Sequence, residues 1–146
     1  MHATPASQRR LALWHHRLRW WQPLGLMLAI TVASGGNPAT PSFTFVSMDK
    51  VIHALVFGLL ATSIYRLANP TWPSGLRTIL AIVITALFGL ADELHQSHTP
   101  GRFMDIADWI ADVFGGVLAV YIYRGWAGYR RFLELAVFPR KPRLEP

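Results

Sequence analysis

The sequence predicts an all-α fold, a polytopic membrane protein built as a bundle of four transmembrane helices with both termini in the cytoplasm. Hydrophobic residues make up 52% of the chain and charged residues only 15%, whereas an ordinary soluble domain carries roughly a quarter charged residues. Charged residues separate four apolar segments, and the basic ones are distributed unevenly between the two ends of these segments. At 146 residues the chain is expected to form one domain.

The apolar segments define the predicted elements. A basic cytoplasmic segment, 1–19, precedes a membrane domain, 20–124, and a basic cytoplasmic tail, 125–146, follows it. The predicted helices lie at about 20–34, 50–67, 76–95 and 105–124. Each apolar run is short for a membrane span of about 20 residues, so a buried soluble bundle is the alternative.

The distribution of cations favours the membrane interpretation. Twelve of the 14 Lys and Arg residues fall on the side of the predicted termini, and Lys50 and Arg102 fall on the other side. Basic loops mark the cytoplasmic side of membrane proteins. Five of the six tryptophans also lie at the predicted cytoplasmic ends, where an interfacial aromatic belt is expected. Although the net charge is +6, no nucleic-acid partner is expected, because the cations flank apolar segments and do not line one polar face.

The first apolar segment has a second interpretation. Basic residues, a short apolar region and the small residues Thr31 and Ala33 are features of a secretory signal peptide cleaved after Ala33. The apolar stretch begins unusually far from Met1 for such a signal, which favours a retained helix. The chain contains no cysteine, so disulfides, thiolate zinc sites and cysteine catalysis are excluded.

Most of the acidic residues fall at the predicted outer ends of the helices. These six of the eight carboxylates are Asp49, Asp92, Glu93, Asp105, Asp108 and Asp112. At about 100° per residue, the last three lie within about 60° of one another on one helix face. Polar residues expected at the same level are Lys50, His53, Gln96 and Arg102. The predicted topology therefore gathers most of the chemistry into one layer of the membrane.

Helix capping explains some of these acids. Asp49 and Asp105 begin predicted helices, where a side-chain oxygen can accept an unpaired backbone N–H. Capping does not explain Asp112, which lies about 10 Å further along its helix than Asp105. Asp112 is expected either to pair with Arg102 or His53, or to serve a function, because acids within membranes usually mark functional sites.

Four glycines within the predicted helices, Gly58, Gly89, Gly115 and Gly116, are interpreted as packing residues. Small residues allow membrane helices to approach closely. They are not interpreted as phosphate-binding loops.

An ordered set of motifs resembles the VanZ-like family. An Asp-Lys-x-x-His motif (Asp49 to His53) is followed by Glu-x-x-Gln (Glu93 to Gln96), then Pro-Gly-Arg (Pro100 to Arg102), then Asp108 and a Gly-Gly pair. The family commonly has Asn at the position of Asp112. The resemblance implies a small membrane protein of about four helices in a bacterial cytoplasmic (inner) membrane. The family is named for a determinant of resistance to the glycopeptide antibiotic teicoplanin.

Three classes of function remain open. The first is a cell-envelope factor that binds membrane lipids and a lipid-linked or other anionic ligand at the outer leaflet. The predicted ligand-binding residues are Lys50, His53, Glu93, Gln96, Arg102, Asp108 and Asp112. The second is a membrane enzyme that uses Mg²⁺ or Mn²⁺ to act on a lipid-linked phosphate, with His53, Glu93, Asp108 and Asp112 as candidate metal ligands and catalytic residues. The third is a proton- or cation-coupled carrier in which Asp112 titrates. No cofactor motif is present, and the binding function is preferred.

Overall fold

The computed structural model describes residues 5–35, 46–100 and 103–135. Side chains are described from Trp20 onward in the first helix, and those of Val46, Ser47, Asp49, Glu134 and Leu135 lie outside the described part. Its helices are α1 (Pro5–Ser34), α2 (Val46–Leu67), α3 (Ser74–Ser97), α4 (Ile106–Gly125) and α5 (Ala127–Leu135). No strand occurs in these ranges. The all-α prediction is confirmed.

The helix boundaries differ from the predicted ones at both ends of the chain. Helix α1 begins at Pro5, so most of the predicted N-terminal segment is helical and continuous with the apolar part. The predicted C-terminal tail begins with α5, a short amphipathic helix with the sequence AGYRRFLEL. Apolar length locates a span but does not mark where a helix continues into polar surroundings, which explains both differences.

Helices α2 and α4 form the most extensive helix pair among the described residues. Glycine makes this contact possible. A Cβ atom at Gly115 would overlap the backbone of Ala54, and one at Gly58 would lie 3.0 Å from the carbonyl oxygen of Gly115. Gly116 faces Ala61 across the same interface. The prediction that these glycines serve helix packing is confirmed.

The buried core lies along the α2–α4 interface. Phe57, Leu60 and Val120 are almost fully buried there. Towards the end of α2, Tyr65 packs edge-on against Tyr123, and the guanidinium of Arg77 lies 4.4 Å from the centre of the Tyr65 ring. This basic, aromatic end of the bundle is opposite to the end that carries the acids.

The outer faces of the helices are apolar, as expected for contact with lipid. The large hydrophobic side chains more than half exposed include Leu28, Val32, Leu55, Leu87 and Phe114. A soluble protein rarely exposes so much continuous apolar surface. Polar side chains such as Thr62 and Thr85 are buried instead. This arrangement favours a membrane protein over the soluble bundle.

Three of the described helices are long and apolar enough to cross a membrane, over Lys50–Leu67, Ser74–Ser97 and Ile106–Gly125. Helix α1 is not among them, because its apolar part begins only near Trp20 and the helix ends at Ser34. The fourth span, the retention of α1 and the cytoplasmic position of the termini remain predictions.

Candidate functional site: a polar layer beside an apolar cleft

The start of α2, the end of α3 and the start of α4 meet at one end of the bundle. We call the polar side chains gathered there the polar layer: Lys50, His53, Asp92, Glu93, Gln96, Asp105, Asp108 and Asp112. Antiparallel neighbours explain this convergence, since α2 and α4 begin at the level where α3 ends. The structure thus brings together every predicted ligand-binding residue that it describes.

Lys50 is held by two carboxylates of α4. Its Nζ lies 2.6 Å from Oδ1 of Asp108 and 3.1 Å from Oδ2 of Asp105. Because both contacts are made by the single ammonium group, Lys50 is already engaged by acids of the protein. Its predicted role in holding an anionic ligand would require it to leave or share these contacts.

Asp105 is the N-cap of α4, as predicted. Its Oδ1 accepts a hydrogen bond from the Ala107 backbone N–H at 2.7 Å. This hydrogen bond, together with the one from the Lys50 ammonium, lowers the pKa of Asp105 below its usual range. Helix α2 begins at Val46, so Asp49 lies in its first turn. The side chain of Asp49 lies outside the described part of the chain, and its capping role stays a prediction.

Asp112 is fully buried and contacts His53. Its Oδ1 lies 2.9 Å from Nδ1 of the His53 ring. When the Asp112 carboxylate is ionised it can only accept, and Nδ1 of His53 is then the donor. The His53 ring stacks on Phe57 with an interplanar angle of 4° and a centroid separation of 6.1 Å. Of the two predicted partners of Asp112, His53 is the one observed; Arg102 lies outside the described residues.

The second oxygen of Asp112 points towards α3. A Cβ added at Gly89 would lie 2.9 Å from Asp112 Oδ2, so the absence of a side chain at Gly89 leaves room for the carboxylate. Within the described part of the chain, Oδ2 has no hydrogen-bond partner. Gly89 therefore accommodates the Asp112 carboxyl group as well as the neighbouring helices.

Glu93 is the other deeply buried acid, with 1% of its surface exposed. Its Oε2 accepts a hydrogen bond from the backbone N–H of Asp105 at 2.9 Å, which ties α3 to the segment before α4. Its Oε1 is buried without a hydrogen-bond partner among the described residues. A buried carboxylate oxygen without a partner is unfavourable unless a proton or a ligand satisfies it.

Asp92 forms a separate contact that the sequence did not predict. The Oγ of Ser34 in α1 lies 2.7 and 2.8 Å from the two carboxylate oxygens of Asp92. Gln96 donates to Asp92 Oδ2 at 3.1 Å. Asp92 and Gln96 are four residues apart on one helix, a spacing that predicts contact between their side chains. The contact with Ser34 had no such signal, because it joins distant parts of the chain.

An apolar cleft opens beside the polar layer, between α1, α2 and α3. Its volume is about 440 Å³, within the range of about 300–1,000 Å³ typical of small-molecule sites. Its lining residues are Leu26, Ala29, Ile30, Ala33, Ser34, Ile52, His53, Val56, Phe57, Asp92 and Gln96. The polar members of this set belong to, or contact, the polar layer. The cleft is therefore amphipathic, with most of its wall apolar.

Three of the four candidate metal ligands form a compact group. His53, Glu93 and Asp108 each offer one ligand atom, and these atoms lie within 4.8 Å of one another. Asp112, the fourth predicted ligand, contacts the His53 ring instead.

The fold and this buried polar layer define a helical membrane protein with an internal polar site. The chain belongs to the VanZ/LLP1 family, whose model matches residues 4–128. The resemblance inferred from the sequence motifs is confirmed. Comparison with curated proteins and with solved structures found no match.

Proposed function

We propose that this VanZ/LLP1-family protein binds a lipid-linked ligand of the bacterial cell envelope at the outer leaflet of the cytoplasmic membrane. In this proposal the apolar chain of the ligand occupies the cleft between α1, α2 and α3. Its head group lies against the polar layer. The observation that carries the proposal is the amphipathic cleft itself, which has apolar walls and Ser34, Asp92, Gln96 and His53 among its lining.

The position of the cleft favours a lipid over a soluble ligand. Ile52, Val56 and Phe57 belong to a helix long and apolar enough to cross a membrane. A lipid chain can enter such a cleft without leaving the hydrocarbon phase, so no apolar surface has to be transferred through water. A soluble polar ligand would gain little from these walls.

The polar layer determines which head groups fit. Carboxylates outnumber cations among its described members, and they can accept hydrogen bonds from hydroxyl or ammonium groups. For an anionic head group, the proposed partners are Arg102 and Lys50, in addition to any bound cation. A lipid-linked phosphate that carries hydroxyl groups would satisfy both requirements.

A binding titration with farnesyl phosphate, a short lipid-linked phosphate, tests the proposal. Purified protein in detergent is titrated, and binding is followed by native mass spectrometry. Farnesol, which has the same chain but no phosphate, is titrated for comparison. We expect saturable binding of farnesyl phosphate and at least tenfold weaker binding to Ala33→Trp, because the indole would fill the cleft lined by Ala33.

Leu28→Trp is the matched control, since Leu28 lies on the same helix but is 66% exposed and does not line the cleft. It should bind farnesyl phosphate as the unmodified protein does. Equal binding to Ala33→Trp and Leu28→Trp would contradict the proposed location. No saturable binding of farnesyl phosphate to the unmodified protein would contradict a lipid-phosphate ligand.

A further inference from the structure

Three helices contribute one potential metal ligand each to the same small volume. His53 comes from α2, Glu93 from α3 and Asp108 from α4, and their ligand atoms lie within 4.8 Å of one another. Glu93 and Asp108 are buried, with 1% and 8% of their surfaces exposed. Side chains this far apart in sequence meet only through the fold, and two buried acids placed together repel each other unless a positive charge lies between them.

Glu93 provides a second, independent indication of a ligand. Its Oε2 is satisfied by the Asp105 backbone N–H. Its Oε1 is buried and has no hydrogen-bond partner in the described part of the chain. A cation bound by Glu93, His53 and Asp108 would supply this oxygen with the partner it lacks.

The surrounding contacts are those expected around a metal-binding histidine. Asp112 Oδ1 lies 2.9 Å from Nδ1 of His53, and a carboxylate that accepts from Nδ1 would direct Nε2 as the coordinating nitrogen. A carboxylate on the second nitrogen commonly fixes the orientation of a metal-binding imidazole and raises its basicity. The parallel ring of Phe57 restricts the same imidazole from its face.

Lys50 does not supply the partner for Glu93 Oε1. Its ammonium contacts Asp105 and Asp108, at 3.1 and 2.6 Å, and no contact between Lys50 and Glu93 is observed among the described residues. Lys50 contacts Asp108 through Oδ1, and the proposed metal would bind the same carboxylate together with Glu93 and His53.

We propose that His53, Glu93 and Asp108 form a divalent-metal site, with Asp112 as the residue that positions His53. One imidazole nitrogen and two carboxylate oxygens suit cations that accept mixed nitrogen and oxygen ligands, such as Mn²⁺. Three protein ligands leave coordination positions open. If the proposed function holds, on which this last assignment rests, a phosphate oxygen of the lipid head group occupies one of them.

Metal binding is measured with Mn²⁺ alone on protein stripped with EDTA in detergent. Loss of the free Mn²⁺ signal in electron paramagnetic resonance gives the affinity and stoichiometry. We expect one saturable site per chain. Glu93→Gln should weaken binding at least tenfold, and Asp112→Asn should weaken it about tenfold without changing the stoichiometry, as expected for a residue that supports a ligand.

Thr85→Val is the matched control. Thr85 is buried on the same helix as Glu93, about two turns away, and it belongs neither to the polar layer nor to the lining of the cleft. It should bind Mn²⁺ as the unmodified protein does. Should Glu93→Gln not yield folded protein by size-exclusion chromatography, Asp108→Asn takes its place with the same expected loss.

The histidine ligand has a spectroscopic signature of its own. Electron spin-echo modulation from a coordinated ¹⁴N nucleus should accompany bound Mn²⁺ and disappear in His53→Gln. The proposed site would be overturned if the protein showed no saturable Mn²⁺ binding, or if Glu93→Gln and Asp112→Asn both bound Mn²⁺ with unchanged affinity. Absence of the nitrogen modulation would overturn it as well.

Titration of farnesyl phosphate in EDTA and in Mn²⁺ separates this inference from the proposed function. Lipid binding by a protein that binds no Mn²⁺ would overturn the metal site and leave the lipid site standing. Mn²⁺ binding without any farnesyl phosphate binding would overturn the lipid proposal and leave the metal site standing. If both the metal site and the lipid site exist, farnesyl phosphate should bind more tightly in Mn²⁺ than in EDTA.

Discussion

At the scale of single residues, the polar layer consists of acids with different partners and therefore different roles. Asp105 caps a helix, and Asp108 contacts Lys50. Asp112 contacts His53 in the interior. Glu93 has one oxygen tied to the backbone and the other without a hydrogen-bond partner among the described residues. Among these described acids, Asp112 and Glu93 each have a buried carboxylate oxygen without a hydrogen-bond partner.

The capping role of Asp105 gives a prediction about stability. Asp105→Ala removes the acceptor for the Ala107 N–H and should lower the free energy of unfolding by about 1 kcal/mol at neutral pH. Asp105→Ser is the control, because serine can still cap the helix, and it should retain most of the stability. Unfolding by SDS in mixed micelles measures both. An alanine variant as stable as the unmodified protein would contradict the capping role.

The same residue gives a pH dependence. The Ala107 N–H and the Lys50 ammonium hold the pKa of Asp105 below its usual range, so the native state favours the ionised form. Ionised Asp105 therefore stabilises the folded protein fully at pH values above the usual pKa of an aspartate. This stabilisation is lost as the pH falls through the lowered pKa of Asp105. The stability difference between the unmodified protein and Asp105→Ala should shrink on acidification.

Local sequence was informative at some of these positions and not at others. Asp105 precedes an apolar run with further acids at helical spacing, which predicts a cap. The sequence predicts Arg102 or His53 as the partner of Asp112, and the packing of α2 on α4 places His53 in contact with it. The contact between Ser34 and Asp92 depends on how α1 docks on α3, and no periodicity within either helix encodes it.

At the scale of helices, glycine sets the distance between α2 and α4 and thereby the position of the polar layer. His53 and Asp112 belong to these two helices, and their 2.9 Å contact requires the close approach seen at Gly58 and Gly115. Glycines at helical positions within apolar runs made this packing predictable. The boundaries of α1 and α5 were not predictable in the same way, because apolar length does not define where their polar parts begin or end.

Substitution of Gly115 tests this packing. Gly115→Ala places a Cβ atom on the backbone of Ala54, so α2 and α4 must separate. We expect a loss of about 1–3 kcal/mol in stability, as for other overpacked interiors, seen as a lower melting temperature in detergent. Gly25→Ala is the control, since a Cβ there meets no atom within 4 Å. Equal melting temperatures for the two variants would contradict the proposed role of Gly115.

At the scale of the whole molecule, opposite ends of the bundle differ in charge. Arg77 and Arg124 lie at the end with the tyrosines, where Arg124 donates to Thr78. The acids lie at the other end. The fold class and this separation were predictable because hydropathy and charge bias act over whole segments. The cleft was not predictable from the sequence, because it depends on the incomplete packing of α1 against α2 and α3.

Cysteine labelling tests the orientation that this asymmetry predicts. The chain has no native cysteine, and both Ser97 and Ser74 are exposed at opposite ends of α3. We expect an impermeant maleimide to label Ser97→Cys in intact cells and Ser74→Cys only after permeabilisation, because basic ends face the cytoplasm. Labelling of position 74 but not 97 in intact cells would reverse the orientation and the proposed outer-leaflet site.

The polar layer and the adjoining cleft are proposed to form one site for a lipid-linked phosphate and a divalent cation. The most direct measurement is an anomalous difference map from crystals grown in a lipidic mesophase with Mn²⁺ and farnesyl phosphate. We expect an anomalous peak between His53, Glu93 and Asp108, with continuous ligand density running from it into the cleft beside Ala33. Clear density for these side chains with no anomalous peak between them and no ligand in the cleft would contradict it.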